Sequence, residues 1–429
     1  MASVLRSSMW MDRATRFVVG FALTLGLSLP DSLQAQTPSA PPQTTAPTPL
    51  FSEPRFVTKA MARVEDFGDK KGEAPREGFY PELGGMITGS GWIAAGPGYR
   101  NYLFGGRAVV DGSAAISWHA YKFAQARLEF PELADNRLAV GSQVLWHDYT
   151  QVPYYGQGTS TRPTDLSDYR IEGTSVVGYA TWRPKPALAM SASAGVMSRP
   201  AISASVGTFD SGHPDTTRLH AADPAAALRR QPGFVHAELS VTADTLDAPG
   251  YPTRGTMFRT AWSTYHDRPD AGLAFDRVEV EAAHFLPLFG RGVLAARAWA
   301  VFSHTAGGNV VPFYFMPGLG GHNTLRGYAD YRFHDRHMAV VNVETRWALF
   351  THVDLAGFVD AGNVAARIAG MNLNRTSVGV GLRLHNRTST IARLDVGRSA
   401  EGWRLMFKTS DVLRSGRTIK RTAPLPFVP

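Results

Sequence analysis

The segment Phe-Val-His-Ala-Glu-Leu-Ser-Val-Thr-Ala-Asp, residues 234–244, alternates apolar and polar side chains through most of its length. Val235 and Leu239 fall on one face, whereas Glu238 and Thr242 fall on the other. Successive side chains of a strand point to opposite faces of its sheet. The segment is therefore predicted to form a β-strand with one apolar and one polar face.

The same alternation recurs from residue 80 to residue 408 in segments of about ten residues, separated by turns rich in Gly, Pro, Asp and Asn. Alternating strands of this length with aromatic ends are typical of transmembrane β-barrels, in which every backbone group is paired between strands. A soluble β-sandwich or jelly roll would also alternate, but its second face would be dry, and here that face carries Glu, Arg, Asp and His. The pattern favours the barrel.

Counting the alternating segments gives 15, whereas bacterial single-chain barrels have even numbers of strands. Three long breaks are expected outside the cell, at 150–167, 199–232 and 305–336. For long and short connections to alternate throughout, the first segment must divide into strands at 80–88 and 92–100, joined at Gly89-Ser90-Gly91. The predicted fold is an all-β, 16-stranded antiparallel transmembrane β-barrel with a long extracellular loop folded inward.

The N-terminus has the pattern of a secretory signal peptide. Arg6, Arg13 and Arg16 precede an apolar run at 17–29, and cleavage is expected after Ala35. Export of the chain is therefore predicted.

The remaining chain divides into three parts. Residues 36–79 are predicted to be a linker rich in Pro and Thr with a periplasmic lead-in, 80–408 the outer-membrane barrel and 409–429 a basic C-terminal tail. The stretch 51–79 is too short for a separate globular domain of ordinary size.

The composition of the chain limits the functional classes. Its 429 residues include no cysteine, and no apolar run is long enough for a membrane-spanning helix. The net charge is +8, but the basic residues are spread along the chain and export argues against nucleic acid as a partner. Without disulfides, the order of the fold is expected to come from hydrogen bonding and packing.

Motifs for catalysis and cofactor binding are missing from the sequence. His334 and His337 come nearest to a metal-binding pair, but their spacing lacks further ligands. Ser and His residues occur without a motif that frames a nucleophile. We therefore predict no enzyme activity, no cofactor and no metal site.

The break at 305–336 contains the stretch Gly318–Asp335, which is neither polar nor repetitive enough to predict disorder. Its Leu325-Arg326-Gly327-Tyr328 run places one permanent charge between an apolar residue and an aromatic one. This combination favours a loop tip that lies in the protein interior beside an acidic partner.

Several short motifs follow one another along the chain. They are Asn101–Gly105 between early strands, Tyr251–Gly255 at a turn, Gly320-Gly321 followed by Leu325-Arg326-Gly327-Tyr328 in the loop, Asn342-x-Glu344-x-Arg346 on the next strand and Phe358–Asn363 on the strand after it. With five strands following the loop, this set resembles the BamA/TamA-like outer-membrane assembly and translocation barrels, also described as bacterial surface antigens. The resemblance covers roughly residues 80–408 and implies the outer membrane of a Gram-negative-type bacterium.

The resemblance implies that the loop folds into the lumen and that Arg326 contacts acidic residues on the two strands after it. Alternation agrees, because Glu344 and Asp360 fall on the polar, inward faces of these strands, and Phe358 shares the face of Asp360. Gly327 is expected to give the backbone a conformation that a side chain would forbid.

The expected seam of the barrel joins its first and last strands. Gly84 and Gly85 lie within the predicted first strand, and glycine in a strand interior weakens it. A weak seam would be able to open sideways.

Three functions are compatible with the sequence. The first is a barrel that assists insertion or translocation of proteins at the outer membrane, gated by the inward loop; its partners would be outer-membrane lipid and unfolded client proteins. Members of the resembled family usually carry periplasmic POTRA domains, which 51–79 cannot hold, so a separate periplasmic subunit is a further expected partner. The alternatives are a passive outer-membrane pore and a structural anchor.

Overall fold

The computed structural model describes residues 49–55, 57–59, 61, 77–84, 94–198, 201–206, 212–220, 231–248, 250–268, 272–289, 292–386 and 389–408, all within the compact unit Pro49–Pro429. The predicted signal peptide, Gly85, the turn Gly89–Gly91 and the predicted tail lie outside these residues. Over the described ranges, no helix has the length and apolar character needed to cross a membrane.

The described residues form nineteen strands. They are β1 (Gly78–Gly84), β2 (Ala94–Leu103), β3 (Ala108–Ser117), β4 (Lys122–Leu133), β5 (Leu138–Tyr154), β6 (Ser167–Lys185), β7 (Leu188–Met197), β8 (Ala201–Ala204), β9 (Gly233–Asp244), β10 (Gly255–Arg268), β11 (Phe275–Leu288), β12 (Gly292–His304), β13 (Gly318–Leu319), β14 (Phe333–His334), β15 (His337–Ala348), β16 (Val353–Ala365), β17 (Arg375–His385), β18 (Thr390–Ser399) and β19 (Gly402–Lys408). Short helical segments are α1 (Thr216–Leu219) and the 3-10 turns Pro163–Asp165, Phe313–Phe315 and Ile368–Gly370.

Sixteen of the nineteen strands form one antiparallel meander. The other three, β8, β13 and β14, are not part of it. Each strand of the meander pairs with the next one along the chain, β7 pairing with β9 and β12 with β15. The short β8 pairs with the first part of β6, and β13 pairs with β14 in a separate two-stranded sheet. The predicted 16-stranded antiparallel architecture is confirmed.

The division of the first predicted segment into two strands is also confirmed. Strands β1 and β2 pair antiparallel from Gly78 with Arg100 to Gly84 with Ala94. The strands therefore begin two residues before the predicted barrel boundary at residue 80.

The connections are long on one side of the sheet and short on the other. The long ones follow β5, β7 and β12, as the sequence predicts, and short turns follow β4, β6, β11, β15 and β17. We refer to these as the loop side and the turn side.

The two faces of the meander differ as the alternation predicts. Large apolar side chains such as Leu239, Val359 and Val380, each more than half exposed, cover the outer face. Charged side chains lie buried on the inner face; among the largest fully buried ones of its strands are Arg297, Arg346, Arg383 and Arg393. A protein with apolar residues outside and arginines inside suits a lipid exterior and a polar interior.

Candidate functional site

The connection between β12 and β15, residues 305–336, is called the inward loop. Its strands β13 and β14 pair Gly318 with His334 and Leu319 with Phe333, and the tip between them is residues 320–332. Leu325 and Tyr328 are buried in an apolar cluster with inward side chains of β12, β15 and β16. The tip therefore lies against the inner face of the barrel wall.

Arg326 forms a forked ion pair with Asp360 of β16. Its Nη2 lies 2.7 Å from Asp360 Oδ1, its Nε lies 3.0 Å from Asp360 Oδ2, and its backbone N–H donates to the same Oδ2 at 3.0 Å. Both side chains are completely buried. A planar guanidinium is suited to such a two-point contact, which fixes the orientation of the side chain as well as its position.

The remaining donor of Arg326, Nη1, contacts Glu344 Oε2 of β15. The two carboxylates thus meet one guanidinium from neighbouring strands. Burial alone would lower the pKa of the Arg326 guanidinium, but Asp360 and Glu344 outweigh burial and raise that pKa above its ordinary value. The loop tip carries a permanent positive charge in this position.

The Arg326 guanidinium also lies over an aromatic ring. Its central carbon is 3.6 Å from the centre of the Phe358 ring on β16. A cation over a ring face is attracted by about 2 kcal/mol when desolvated. Phe358 therefore covers a face of the guanidinium plane, while the carboxylates bind its edges.

The carboxylates that hold Arg326 belong to a wider lattice of buried charges. Glu344 also accepts from Arg346 Nε at 2.9 Å and from Arg383 Nη2 at 2.8 Å. Arg383 Nη2 lies 2.7 Å from Asp395 Oδ1, and Arg393 Nη1 lies 3.2 Å from Asp395 Oδ2. Strands β15, β16, β17 and β18 are linked to one another through this lattice.

The inner wall also donates to the backbone carbonyls of the tip. Arg393 Nη2 donates to the His322 carbonyl at 2.7 Å, and Asn342 Nδ2 to the Thr324 carbonyl at 2.6 Å. Arg297 Nη1 of β12 donates to the Asn323 carbonyl at 2.9 Å, and Ser399 Oγ of β18 to the Gly327 carbonyl at 2.7 Å. These contacts would be lost together if the tip left the wall.

Two different structural constraints explain why glycine occupies three positions of the tip. Gly320 and Gly321 have φ values of +118° and +89°, which favour glycine. The expected unusual backbone conformation at Gly327 is wrong, since its φ is not positive. A Cβ at Gly327 would instead lie 2.7 Å from Ser377 Cβ and 2.8 Å from Ser399 Cβ. Gly327 allows the tip to approach the wall closely.

The first half of the inward loop contacts the opposite part of the wall through aromatic side chains. Phe313 lies 4.8 Å from the rings of Tyr154 and Tyr169, on β5 and β6. Phe315 lies 5.1 Å from the rings of Phe234 and Tyr265, on β9 and β10. We call this group, with its buried neighbours, the aromatic cluster.

Arg332 connects the inward loop to two other parts of the loop side. Its Nη1 donates to Thr161 Oγ1 at 2.8 Å and its Nη2 to the Thr161 carbonyl at 2.6 Å, in the β5–β6 loop. Its Nε lies 2.8 Å from Glu401 in the β18–β19 turn. In addition, the Gly158 N–H donates to the His334 carbonyl at 2.7 Å. The β5–β6 loop therefore packs over the inward loop.

At the seam, β1 pairs with β2 and β19 with β18. Within the described residues, no ladder joins β1 to β19. Gly84 is the last residue of β1 and pairs with Ala94. Gly85 lies outside the described residues, so the weakening of the first strand by these two glycines stays a prediction.

The two histidines considered as metal ligands lie at the base of the loop, His334 in β14 and His337 at the start of β15. In the described part of the chain, no group of three or more His, Asp or Glu side chains is arranged to hold a metal ion.

The structure brings together the sequence-predicted residues Arg326, Glu344, Phe358 and Asp360. Sequence reasoning missed Arg297, Arg332, Arg383, Arg393 and Asp395 as parts of the site. The signal that could have found three of them is alternation, because Arg383, Arg393 and Asp395 share the inward parity of their strands with small or polar residues. Nothing in the sequence indicates that they converge on Glu344.

Comparison with known proteins supports the β-barrel fold. Residues 229–395 match the Omp85 superfamily domain. The structure is similar to that of BamA from Haemophilus ducreyi lacking POTRA domains 1–3, with a TM-score of 0.58 and 14% identity over 78% of this chain and 70% of that one. No curated protein matches the sequence.

Two CdiB structures are less similar. CdiB from Acinetobacter baumannii has a TM-score of 0.46 and 12% identity, over 77% of this chain and 58% of that one. CdiB from Escherichia coli has a TM-score of 0.47 and 13% identity, over 79% of this chain and 65% of that one. At these TM-scores the two similarities do not add to the fold assignment.

The fold and its charged interior define an outer-membrane β-barrel, and residues 229–395 of the chain are similar to the Omp85 superfamily domain. This match and the similarity of the fold to that of BamA confirm the predicted resemblance to BamA/TamA-like barrels and the predicted location in the outer membrane of a Gram-negative bacterium. The loop side is accordingly extracellular and the turn side periplasmic.

Proposed function

We propose that this chain assists the insertion or translocation of other proteins at the outer membrane, and that the inward loop is its gate. The observation that carries the proposal is the buried set of Arg326, Glu344, Asp360 and Phe358. A loop tip held inside the lumen narrows the path that an unplugged barrel of 16 strands would leave open.

The energetic balance of this set suits a two-state gate. Breaking a buried ion pair by removing one partner commonly costs about 3–5 kcal/mol, because the other charge is left without compensation. When the whole tip moves into water, the guanidinium and the carboxylates regain hydration, which offsets part of this cost. A set of this kind holds one closed position firmly and still permits release as a unit.

The gate is tested by single-channel conductance in planar bilayers. Arg326→Ala should convert a small, flickering conductance into a larger one, whereas Arg162→Ala, at an exposed ion pair on the β5–β6 loop, should leave it unchanged. A large and steady conductance in the unmodified protein would instead favour the passive pore. An unchanged conductance in Arg326→Ala would contradict gating by this loop.

The seam supports a second element of the proposal, sideways opening toward the membrane. Strands β1 and β19 each have seven residues, and in the described part of the chain they are not paired with each other. An unpaired strand edge is a template for pairing with another chain. A client strand or a lipid-exposed segment would be able to pass there.

Cysteine pairs test the seam, since the natural sequence has no cysteine and each pair can form only one disulfide. A panel of pairs across β1 and β19 is compared with Val396→Cys/Leu405→Cys, which links the already paired β18 and β19. Client insertion into liposomes should be lost on oxidation of a seam pair and retained in the control. Equal insertion with a locked seam would rule out sideways opening.

The proposed partners follow from this function. They are outer-membrane lipid, unfolded client proteins and a separate periplasmic subunit that delivers them. A pull-down from periplasmic extract, with and without residues 36–79, tests the last of these; capture that does not depend on 36–79 would place the subunit elsewhere on the periplasmic side.

A further inference from the structure

The turn between β9 and β10, residues 245–254, reaches across the periplasmic side to the turn between β17 and β18. We call it the periplasmic strap; all of it is described except Pro249. The Thr390 N–H donates to the Gly250 carbonyl at 2.9 Å, and Gly250 forms a parallel bridge with Ser389. Two turns that are distant along the wall are thus in direct backbone contact.

The two turns in contact are separated by several strands of the barrel wall. From β10 to β17 the sheet passes through β11, β12, β15 and β16, which is five strand spacings or about 24 Å. A turn that contacts a point so far along a curved wall lies on a chord across the barrel opening. The strap therefore crosses the periplasmic mouth.

Tyr251 anchors the strap at its far end. Its ring stacks on that of His385 with a centre distance of 3.7 Å and an angle of 6°, and its hydroxyl donates to Asp354. His385 Nε2 lies 3.2 Å from the other oxygen of Asp354. Tyr251 is 5% exposed, so the anchor excludes water.

The rest of the strap is braced internally. The Asp247 carboxylate accepts from the backbone N–H groups of Thr253, at 2.9 Å, and Arg254, at 3.2 Å. Thr245 and Thr256 close its base, with the Thr245 N–H donating to the Thr256 carbonyl at 2.9 Å. A braced turn on one narrow base moves as a unit when its anchor is released.

The anchor of the strap adjoins the charge lattice that holds the inward loop. The Arg346 guanidinium lies 5.7 Å from the centre of the Tyr251 ring and donates to Glu344, which holds Arg326. One arginine thus separates the periplasmic anchor from the gate set.

We propose that the strap is a second gate, placed at the periplasmic mouth in series with the inward loop, and that Tyr251 is the residue that positions it. The inference rests on the proposed function, because it assigns the strap to the entry of client chains into the same lumen. With two gates in series, opening one alone leaves the path obstructed by the other.

Conductance of four proteins tests the series arrangement: the unmodified chain, Tyr251→Ala, Arg326→Ala and the double variant. Each single variant should raise the mean conductance by about twofold, and the double variant by about tenfold or more, a non-additive result expected for two barriers in series. Tyr251→Phe, which keeps the stacked ring, should match the unmodified protein, and its combination with Arg326→Ala should match Arg326→Ala alone.

A matched control removes another inward tyrosine. Tyr179 on β6 is 8% exposed and donates to Glu129 at 2.6 Å, but it contacts neither the strap nor the inward loop within the described contacts. Tyr179→Ala combined with Arg326→Ala should match Arg326→Ala alone. If Tyr179→Ala and Tyr251→Ala raise conductance equally, the effect is general loosening of the barrel and the second gate is overturned.

Locking the strap gives the opposite test. In the chain without natural cysteine, Gly250→Cys/Ser389→Cys places two thiols at bridged positions. In an Arg326→Ala/Tyr251→Ala background, oxidation should lower the conductance to that of Arg326→Ala alone, and a reductant should restore it. A gain that persists in the oxidised protein overturns the second gate.

The outcomes separate the two proposals. If Arg326→Ala raises conductance but the strap variants and the disulfide have no effect, the inward loop gates alone and the strap inference fails. If the Tyr251→Ala variant raises conductance and Arg326→Ala adds nothing to it, the strap is a gate and the proposed loop gate fails. Heat-modifiability on gels establishes that each variant forms a barrel.

Discussion

The two halves of the inward loop are held to opposite parts of the barrel wall by different forces. Residues 310–316 lie among rings from β5, β6, β9, β10 and β11, whereas residues 322–327 lie among charges from β12 and β15–β18. Dispersion and apolar burial tolerate small shifts of a ring, since their energy depends on area more than on direction. A forked ion pair does not tolerate such shifts.

This difference suggests a division of labour within one loop. Under the proposed function, the aromatic half is the anchor that keeps the loop in the barrel, and the charged half is the part that engages or releases. Because the contacts of the charged half depend on direction, the proposed function predicts two distinct states for it, held and released, rather than a range of intermediate ones. Four substitutions sharpen or break this comparison.

The largest effect is expected for Arg326→Ala. It leaves Glu344 and Asp360 buried without their shared cation, so the unfolding free energy in urea should fall by about 3–5 kcal/mol. Arg326→Lys should recover only part of this, because an ammonium cannot make the forked contact. Equal stability of the Lys and Arg proteins would show that charge alone, without direction, holds the tip.

A smaller loss is expected for Gly327→Ala. The new methyl would lie 2.7 Å from Ser377 Cβ and 2.8 Å from Ser399 Cβ, and overpacking of this kind costs about 1–3 kcal/mol. Gly178→Ala on β6 is the matched control, since a methyl group there would meet no atom within 4 Å. If both substitutions change the urea midpoint equally, close approach at Gly327 does not hold the tip.

Arg332→Ala should have a moderate effect that is confined to the extracellular side. It removes hydrogen bonds to Thr161 and the ion pair with Glu401, but Glu401 is 21% exposed in its side chain and can regain water. A loss of about 1–2 kcal/mol is expected. Proteolysis of the β5–β6 loop should accelerate, while the tip contacts of Arg326 persist in hydrogen exchange. Loss of protection at the tip would contradict the separation.

The smallest effect is expected in the aromatic cluster. Phe315→Leu keeps an apolar side chain of similar volume, and such changes usually cost less than about 1.5 kcal/mol. Conductance should be unchanged, because the anchor remains apolar. A conductance rise as large as that of Arg326→Ala would show that the aromatic half, too, acts as a gate and would end the proposed division.

Sequence reasoning placed the strands closely. The pattern around Val235 predicted a strand at 234–244, and β9 spans Gly233–Asp244. It succeeded because a barrel wall faces lipid on one side and charge on the other, so the alternation is written into each strand locally. The same alternation identified the inward orientation of Glu344 and Asp360.

The contacts within the candidate site were harder to predict from the sequence. Arg383 and Asp395 come together because β17 and β18 pair in a particular register, placing Gly381 opposite Asp395 and Arg383 opposite Arg393. Gly327 was assigned the wrong reason, because a close approach between segments 50 or more residues apart is invisible in a local pattern. The Tyr251 anchor was visible only as one motif among several.

By itself, then, the sequence determined which faces meet lipid, how many strands form the wall and where the loop with Arg326 begins, since each depends on neighbours along the chain. Tertiary structure alone decided which wall each half of that loop contacts and that the turn at Tyr251 crosses the periplasmic mouth. Those contacts join residues such as Tyr251 and Asp354, 103 positions apart, and only the curvature of the hydrogen-bonded wall brings them within reach.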